Sequence, residues 1–131
     1  MLRADHEIRR PDILLATPLH WRRQLKRGYN QSEDLRRALL KLRPDLAPVC
    51  AHKVRIKRRR SGPPQAQSSR RSRLVNLEGA FSVIGEVADC SVTLIDDVCT
   101  TGATASAVAQ ALLEAGASDV HLWCFARTAS R

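Results

Sequence analysis

Asp96 and Asp97 stand side by side in the string VTLIDDVCTTGAT (92–104), with Thr100, Thr101, Gly102, Ala103 and Thr104 close behind. Adjacent carboxylates repel each other unless they meet hydrogen-bond donors or a cation. Ribose hydroxyls with Mg²⁺ nearby supply both. The three threonine hydroxyls are neutral donors able to wrap a monoester phosphate. Gly102 lets the backbone turn tightly and approach a ligand with no Cβ in the way. If a helix starts there, its first-turn N–H groups point outward and its dipole favours an anion. An isolated Asp-Asp pair is more often an ordinary acidic strand end, but the whole string is far more specific. A nucleoside-triphosphate P-loop is excluded because the chain has no G-x-x-x-x-G-K-[ST]. A dinucleotide fingerprint is excluded by the lack of G-x-G-x-x-G.

These residues need a strand before them and a helix after them. Val92–Ile95 reads as a buried strand, and a helix is expected from about Gly102 to Ala115, with Ala105, Val108, Leu112 and Ala115 as its apolar stripe and Gly116 at its C-terminal stop. Upstream, Ile13–Thr17 is a short apolar run closed by Pro18, as expected of a buried parallel strand. After a basic loop, Gln31–Leu42 reads as a helix with Leu35, Leu39 and Leu42 on one face. Asn30 is placed to cap it, Glu33 lies in its first turn, and Pro44 ends it. Val49–Ile56 and Ala80–Val83 are further strand candidates. Val120–Ala126 is nearly all apolar, which predicts a strand covered on both faces. Strands alternating with helices predict an α/β fold with a mainly parallel twisted sheet flanked by helices.

The chain of 131 residues is sized for a single domain. No apolar run is long enough to span a bilayer, and the charged N-terminus lacks the apolar middle of an export signal, so a cytoplasmic protein without membrane insertion is expected. Cys50, Cys90, Cys99 and Cys124 are scattered, with no C-x-x-C, which argues against a zinc site or a disulfide framework. The net charge of +9 favours polyanionic ligands. Lys53–Arg73 holds nine of the basic residues and no acid. From Arg58 to Arg73 almost nothing is apolar, so this tract is expected to be mobile.

VTLIDDVCTTGAT resembles the phosphoribosyl-pyrophosphate (PRPP) motif of type I phosphoribosyltransferases. PLHWRRQLKRGYNQ, Gln65 with Arg73, N76-L-E-G-A-F81 and A126-R-T128 follow an order similar to the ComF/GntX group, the competence-protein-F-like members of that superfamily. The resemblance implies that Asp96 and Asp97, the catalytic candidates, hold the ribose hydroxyls. It implies that Thr100, Thr101, Gly102, Ala103 and Thr104 cradle the 5-phosphate. The loop Thr17–Arg27 would receive pyrophosphate, with Pro18, Leu19, His20, Arg22, Lys26 and Arg27 as candidates; His20 is also a candidate base. A basic loop at about 57–73, carrying Arg58, Arg59, Arg60, Gln65 and Arg73, would act as a flexible lid.

The implied activity is transfer of a 5-phosphoribosyl group from PRPP to an acceptor with release of pyrophosphate, in connection with DNA uptake. Mg²⁺ would be held through the substrate rather than by a dedicated protein site. The alternative is a catalytically weak or regulatory, DNA-associated module that keeps the pocket. Its basic tract would meet single-stranded DNA or the uptake machinery, although Trp21 and Tyr29 are the only aromatics flanking a basic cluster. Two departures from the group's pattern stand out. The cysteine-rich zinc knuckle and extra helix that commonly open its members are not expected here, and Gly62 and Ser68 stand where the lid usually has threonine and leucine. An uncovered sheet edge would favour a homodimer.

Overall fold

The apolar run after Pro11 forms β1 (Ile13–Ala16), and all its residues but the last are buried. The computed structural model describes residues 10–18, 28–46, 53–59, 79–99 and 101–128. β1 is followed by α1 (Gln31–Leu42), a 3₁₀ turn (Pro44–Leu46), the hairpin strands β2 (Arg55–Arg58) and β3 (Phe81–Ile84), then β4 (Ser91–Cys99), α2 (Ala103–Glu114) and β5 (Asp119–Arg127). β4 lies between β1 and β5 and runs parallel to both; β2 and β3 form a separate antiparallel pair. The expected α/β architecture, a parallel sheet flanked by helices, is present.

Side-chain alternation along the strands divides the sheet into two faces. Ile13 and Leu15 of β1 and Val92 and Leu94 of β4 pack with Val108 and Leu112 of α2 and with Val54 and Phe81 of the hairpin region. Each fully buried aliphatic side chain of this cluster contributes about 1.5–3 kcal/mol. Leu14, Thr93 and Ile95 are also buried but lie outside the cluster, and α1 packs on the two strands that carry them.

α1 has the bounds its punctuation predicts. The Asn30 carboxamide oxygen accepts the Ser32 N–H at 3.0 Å, and Glu33 and Asp34 occupy the first turn, where negative charge complements the dipole. Glu33 also accepts from Arg36 and Arg37, and the Arg36 bond is the chief cause of its lowered pKa. Pro44 disfavours a helical Arg43, which is the C-cap. α2 ends as expected at Gly116. Its N–H bonds to the Leu113 carbonyl, while the Ala117 N–H reaches back to Leu112, the paired bonds of a Schellman stop.

Several expectations are corrected. Leu42 is 79 % exposed and Ala115 is exposed, so neither belongs to the buried stripe assigned to it. β2 occupies 55–58 rather than beginning at Val49, and Val49–Ala51 lie outside the described residues. Arg58 and Arg59, expected in the lid, belong to the hairpin. Arg58 pairs with Phe81 and sets its guanidinium 5.0 Å from that ring, and the Arg59 N–H donates to the Ala80 carbonyl at 2.7 Å. β5 is not covered on both faces, since its residues from Cys124 to Arg127 are exposed and Phe125 is 83 % exposed. Composition records how apolar a strand is, whereas coverage depends on what packs against it. Cys99 and Cys124 are free thiols. Among the described residues no helix is long and apolar enough to cross a membrane.

Candidate functional site

β4 outruns β1. The ladder between them ends at Ala16 and Ile95, with the Thr17 N–H donating to the Ile95 carbonyl at 2.9 Å. The next bond of a parallel series would join the Asp97 N–H to the Thr17 carbonyl. Two side chains from the start of α1 take those groups instead. Asn30 Nδ2 donates to the Thr17 carbonyl at 3.2 Å, and the Asp97 N–H donates to Ser32 Oγ at 3.3 Å. β4 meanwhile stays paired with β5, through Asp96 opposite Cys124 and on to Cys99 opposite Arg127. Asp96 and Asp97 are therefore not at the strand's end, as the sequence suggested. They sit inside β4, beyond its last pairing with β1 among the described residues.

Both aspartates are partly exposed, and neither makes an ion pair among the described residues. Burial pushes the Asp96 carboxyl up from its ordinary value, reinforced by the hydrogen bond and the charge of Asp97, while the Ser32 hydroxyl, donating to Asp96 Oδ1 at 3.3 Å, works the other way. An acid pair in this condition favours a partner that brings donors or positive charge.

Past Cys99 the chain turns into α2. Gly102 occupies the N-cap position with φ 74°, the left-handed region that L side chains rarely adopt, and its carbonyl accepts the Ser106 N–H at 2.8 Å. It has no side chain to cap with, so the first-turn amides are left unclaimed by the cap residue. The Ala103 N–H lies 3.3 Å from Thr101 Oγ1. Thr101 is exposed, and Gly102, Ala103 and Thr104 are partly so, which leaves this turn open to an anion. Beneath it lies the Cys99 thiol, 3.7 Å from where a Cβ at Gly102 would stand; burial pushes that thiol up, with Cys124 and Asp96 adding to the effect. The Cys99 N–H approaches Cys124 Sγ at 3.1 Å and the Cys99 carbonyl accepts the Thr128 N–H at 3.2 Å, tying the end of β4 to β5.

One strand–turn–helix unit thus carries Asp96, Asp97, Thr101, Gly102, Ala103 and Thr104. Pro18 stands at the exit of β1, after a Thr17 that is buried with its hydroxyl unpartnered among the described residues. Thr100, Leu19, His20, Arg22, Lys26, Arg27, Arg60, Gln65 and Arg73 lie outside the described residues. Ser32 was not anticipated. Its signal was a hydroxyl on the same helix stripe as Leu35 and Leu39, where a polar residue requires a partner.

A parallel α/β sheet whose carboxyl edge presents an acid pair beside a glycine-opened helix start has the design of the type I phosphoribosyltransferase fold. The phosphoribosyl transferase domain profile matches residues 31–131. The chain is 36 % identical over 129 residues to the DNA utilization protein YhgH of Salmonella typhimurium, covering 98 % of this chain and 55 % of that protein. It is 32 % identical to competence protein F of Haemophilus influenzae over 93 % of this chain and 53 % of that one. Among solved structures, phosphoribosylpyrophosphate synthetase from Mycobacterium smegmatis shares the fold with a TM-score of 0.52 at 21 % identity, over 92 % of this chain and 29 % of that chain. The chain belongs to the phosphoribosyltransferase domain family, in its competence-protein-F-like group. It spans about half the length of the curated relatives it matches.

Proposed function

We propose that this domain binds PRPP together with Mg²⁺ and transfers the 5-phosphoribosyl group to an acceptor, releasing pyrophosphate. The observation that carries this reading is the partly exposed acid pair on β4, just past its pairing with β1, followed on the same strand by the start of α2, whose cap residue has no side chain. Asp96 and Asp97 accept the two ribose hydroxyls. The turn Thr100–Thr104 receives the 5-phosphate, with backbone amides and threonine hydroxyls as donors. Displacement at the anomeric carbon builds positive charge on the ribose, which nearby carboxylates would stabilise. Mg²⁺, if held through substrate oxygens and water rather than by side chains, would supply charge neutralisation at the pyrophosphate. The partial exposure of Asp96 and Asp97, and the lack of an ion pair to either among the described residues, suit such a ligand. Calorimetry with PRPP and Mg²⁺ on the wild type and Asp97→Asn is the test. Binding by the wild type and a large loss in the variant are expected; equal binding by both, or none by either, overturns the reading.

A second, compatible reading places the domain in DNA uptake or utilisation, as the names of its relatives suggest. Lys53, Arg55, Lys57 and Arg59 are all exposed; alternation sets Arg55 and Lys57 on one side of β2, and Lys53 and Arg59 flank the strand. Such a row suits a polyanionic backbone. Filter binding to single-stranded DNA should weaken steeply with salt, with a log–log slope of about −3 if roughly four phosphates are neutralised. A flat salt response overturns it. Self-association through β5, where Phe125 is exposed, completes the proposal; sedimentation should detect a dimer that Phe125→Ser abolishes, and a monomeric wild type rejects it.

A further inference from the structure

We propose that Ser32 is a positioning residue of this site, holding the Asp96 carboxylate and the Asp97 backbone in the arrangement that meets the ribose. The proposal rests on the reading of the acid pair as the ribose site. Ser32 is 2 % exposed although it lies in the first turn of a surface helix. Its hydroxyl donates to Asp96 Oδ1 and accepts the Asp97 N–H, each at 3.3 Å. Its own N–H is taken by the Asn30 cap, and the other end of that carboxamide holds the Thr17 carbonyl. One hydroxyl thus joins the start of α1 to both members of the pair, at the point where β1 no longer can.

The bond to Asp96 has a chemical consequence besides fixing position. A donor to a carboxylate favours its charged form, and only the charged form offers both oxygens to sugar hydroxyls. The groups facing Asp96 are Asp97 and Cys99 on β4 and Cys124, its register partner on β5. The nearby first-turn acid of α1, Glu33, is engaged with Arg36 and Arg37. Among the described residues none of these supplies a positive charge, so protonation of Asp96 is opposed chiefly by the Ser32 hydroxyl and, to a smaller degree, by the Asp97 backbone N–H.

The test has two arms. In the free protein, carboxyl-carbon NMR should show the Asp96 titration moving to higher pH in Ser32→Ala and returning toward the wild type in Ser32→Thr. An unmoved Asp96 titration in a folded Ser32→Ala protein overturns the proposal whether or not PRPP binds. In the ligand arm, PRPP affinity should fall roughly tenfold in Ser32→Ala, the size of one hydrogen bond to a charged group. The acid limb of its pH profile should move upward with Asp96. A shifted titration without any PRPP binding by the wild type would leave Ser32's role intact and reject the ligand instead. Uniform loss of affinity at every pH, not rescued by threonine, would mark Ser32 as merely structural.

Discussion

The carbonyl of Thr17 is held by the carboxamide of Asn30 at 3.2 Å, where an unbroken ladder would have given it the amide of Asp97. This substitution ends the pairing of β1 with β4 at the level of the acid pair. Asn30 spends both ends of its side chain there, since its oxygen caps α1 through Ser32. Removing it therefore affects helix, strand exit and acid pair together.

Asn30→Ala should lower stability by about 1–2 kcal/mol, a full N-cap loss with a freed Thr17 carbonyl added. Asn30→Asp keeps the cap but loses the Nδ2 donor, and should recover only part of it. Urea denaturation of the two variants measures the difference. Asn30→Asp as stable as the wild type would show that the bond to Thr17 contributes nothing, and Asn30→Asp no more stable than Asn30→Ala would show the same of the cap.

The raised pKa of Asp96 gives stability a defined pH dependence. The folded state holds the Asp96 proton more tightly than the unfolded chain does. Its contribution is fully present below the unfolded Asp value of about 3.9 and is lost as pH rises through the higher folded value. Asp96→Asn has no charge to bury. Its Tm should thus gain on the wild type as pH is raised from 4 to 7, while PRPP affinity falls at least about tenfold, one hydrogen bond to a charged group. Scanning calorimetry at several pH values checks the sign.

Gly102→Ala tests the turn. The new Cβ would lie 3.7 Å from Cys99 Sγ, an ordinary contact, so the penalty is the left-handed backbone at φ 74°. About 1–2 kcal/mol is expected, read from the denaturation midpoint. A larger loss of PRPP affinity than of stability would separate blocked phosphate access from global weakening.

Gly85 sits under a harder constraint. A Cβ there would come 2.2 Å from the Lys53 carbonyl oxygen, at φ 107°. The obstacle is backbone, so it cannot swing away. Gly85→Ala should destabilise by about 2–4 kcal/mol through strain and displacement at the base of the β2–β3 hairpin. Thermal melts decide this; a loss below about 1 kcal/mol would show that the hairpin yields easily.

Much of this architecture could be read from local chemistry. Asn30 and Pro44 punctuate α1 so strongly that its limits, Gln31 and Leu42, coincide with expectation. Gly102 and the acid pair were identifiable because few residue types meet those demands. Features decided by distant partners were not legible. The apolar run of β4 ends at Ile95, but the strand continues to Cys99 because β5 keeps pairing with it. β5 is as apolar as a buried strand, and Phe125 is nonetheless exposed. Ser32 looked like a helix residue because its two partners lie 64 and 65 positions away.

That separation has a consequence for how the domain matures. α1 can begin to form from its own capping residues, but the carboxylates acquire their arrangement only when residues 30–32 close on 96–97, across about half of the 131-residue chain. Closing so long a loop is entropically expensive and belongs late in folding. A ligand that engages the acid pair selects the closed chain and should add roughly 2.7 kcal/mol to its stability at a hundredfold excess over Kd. The metabolite level would then set how much of the protein is folded as well as how much is occupied.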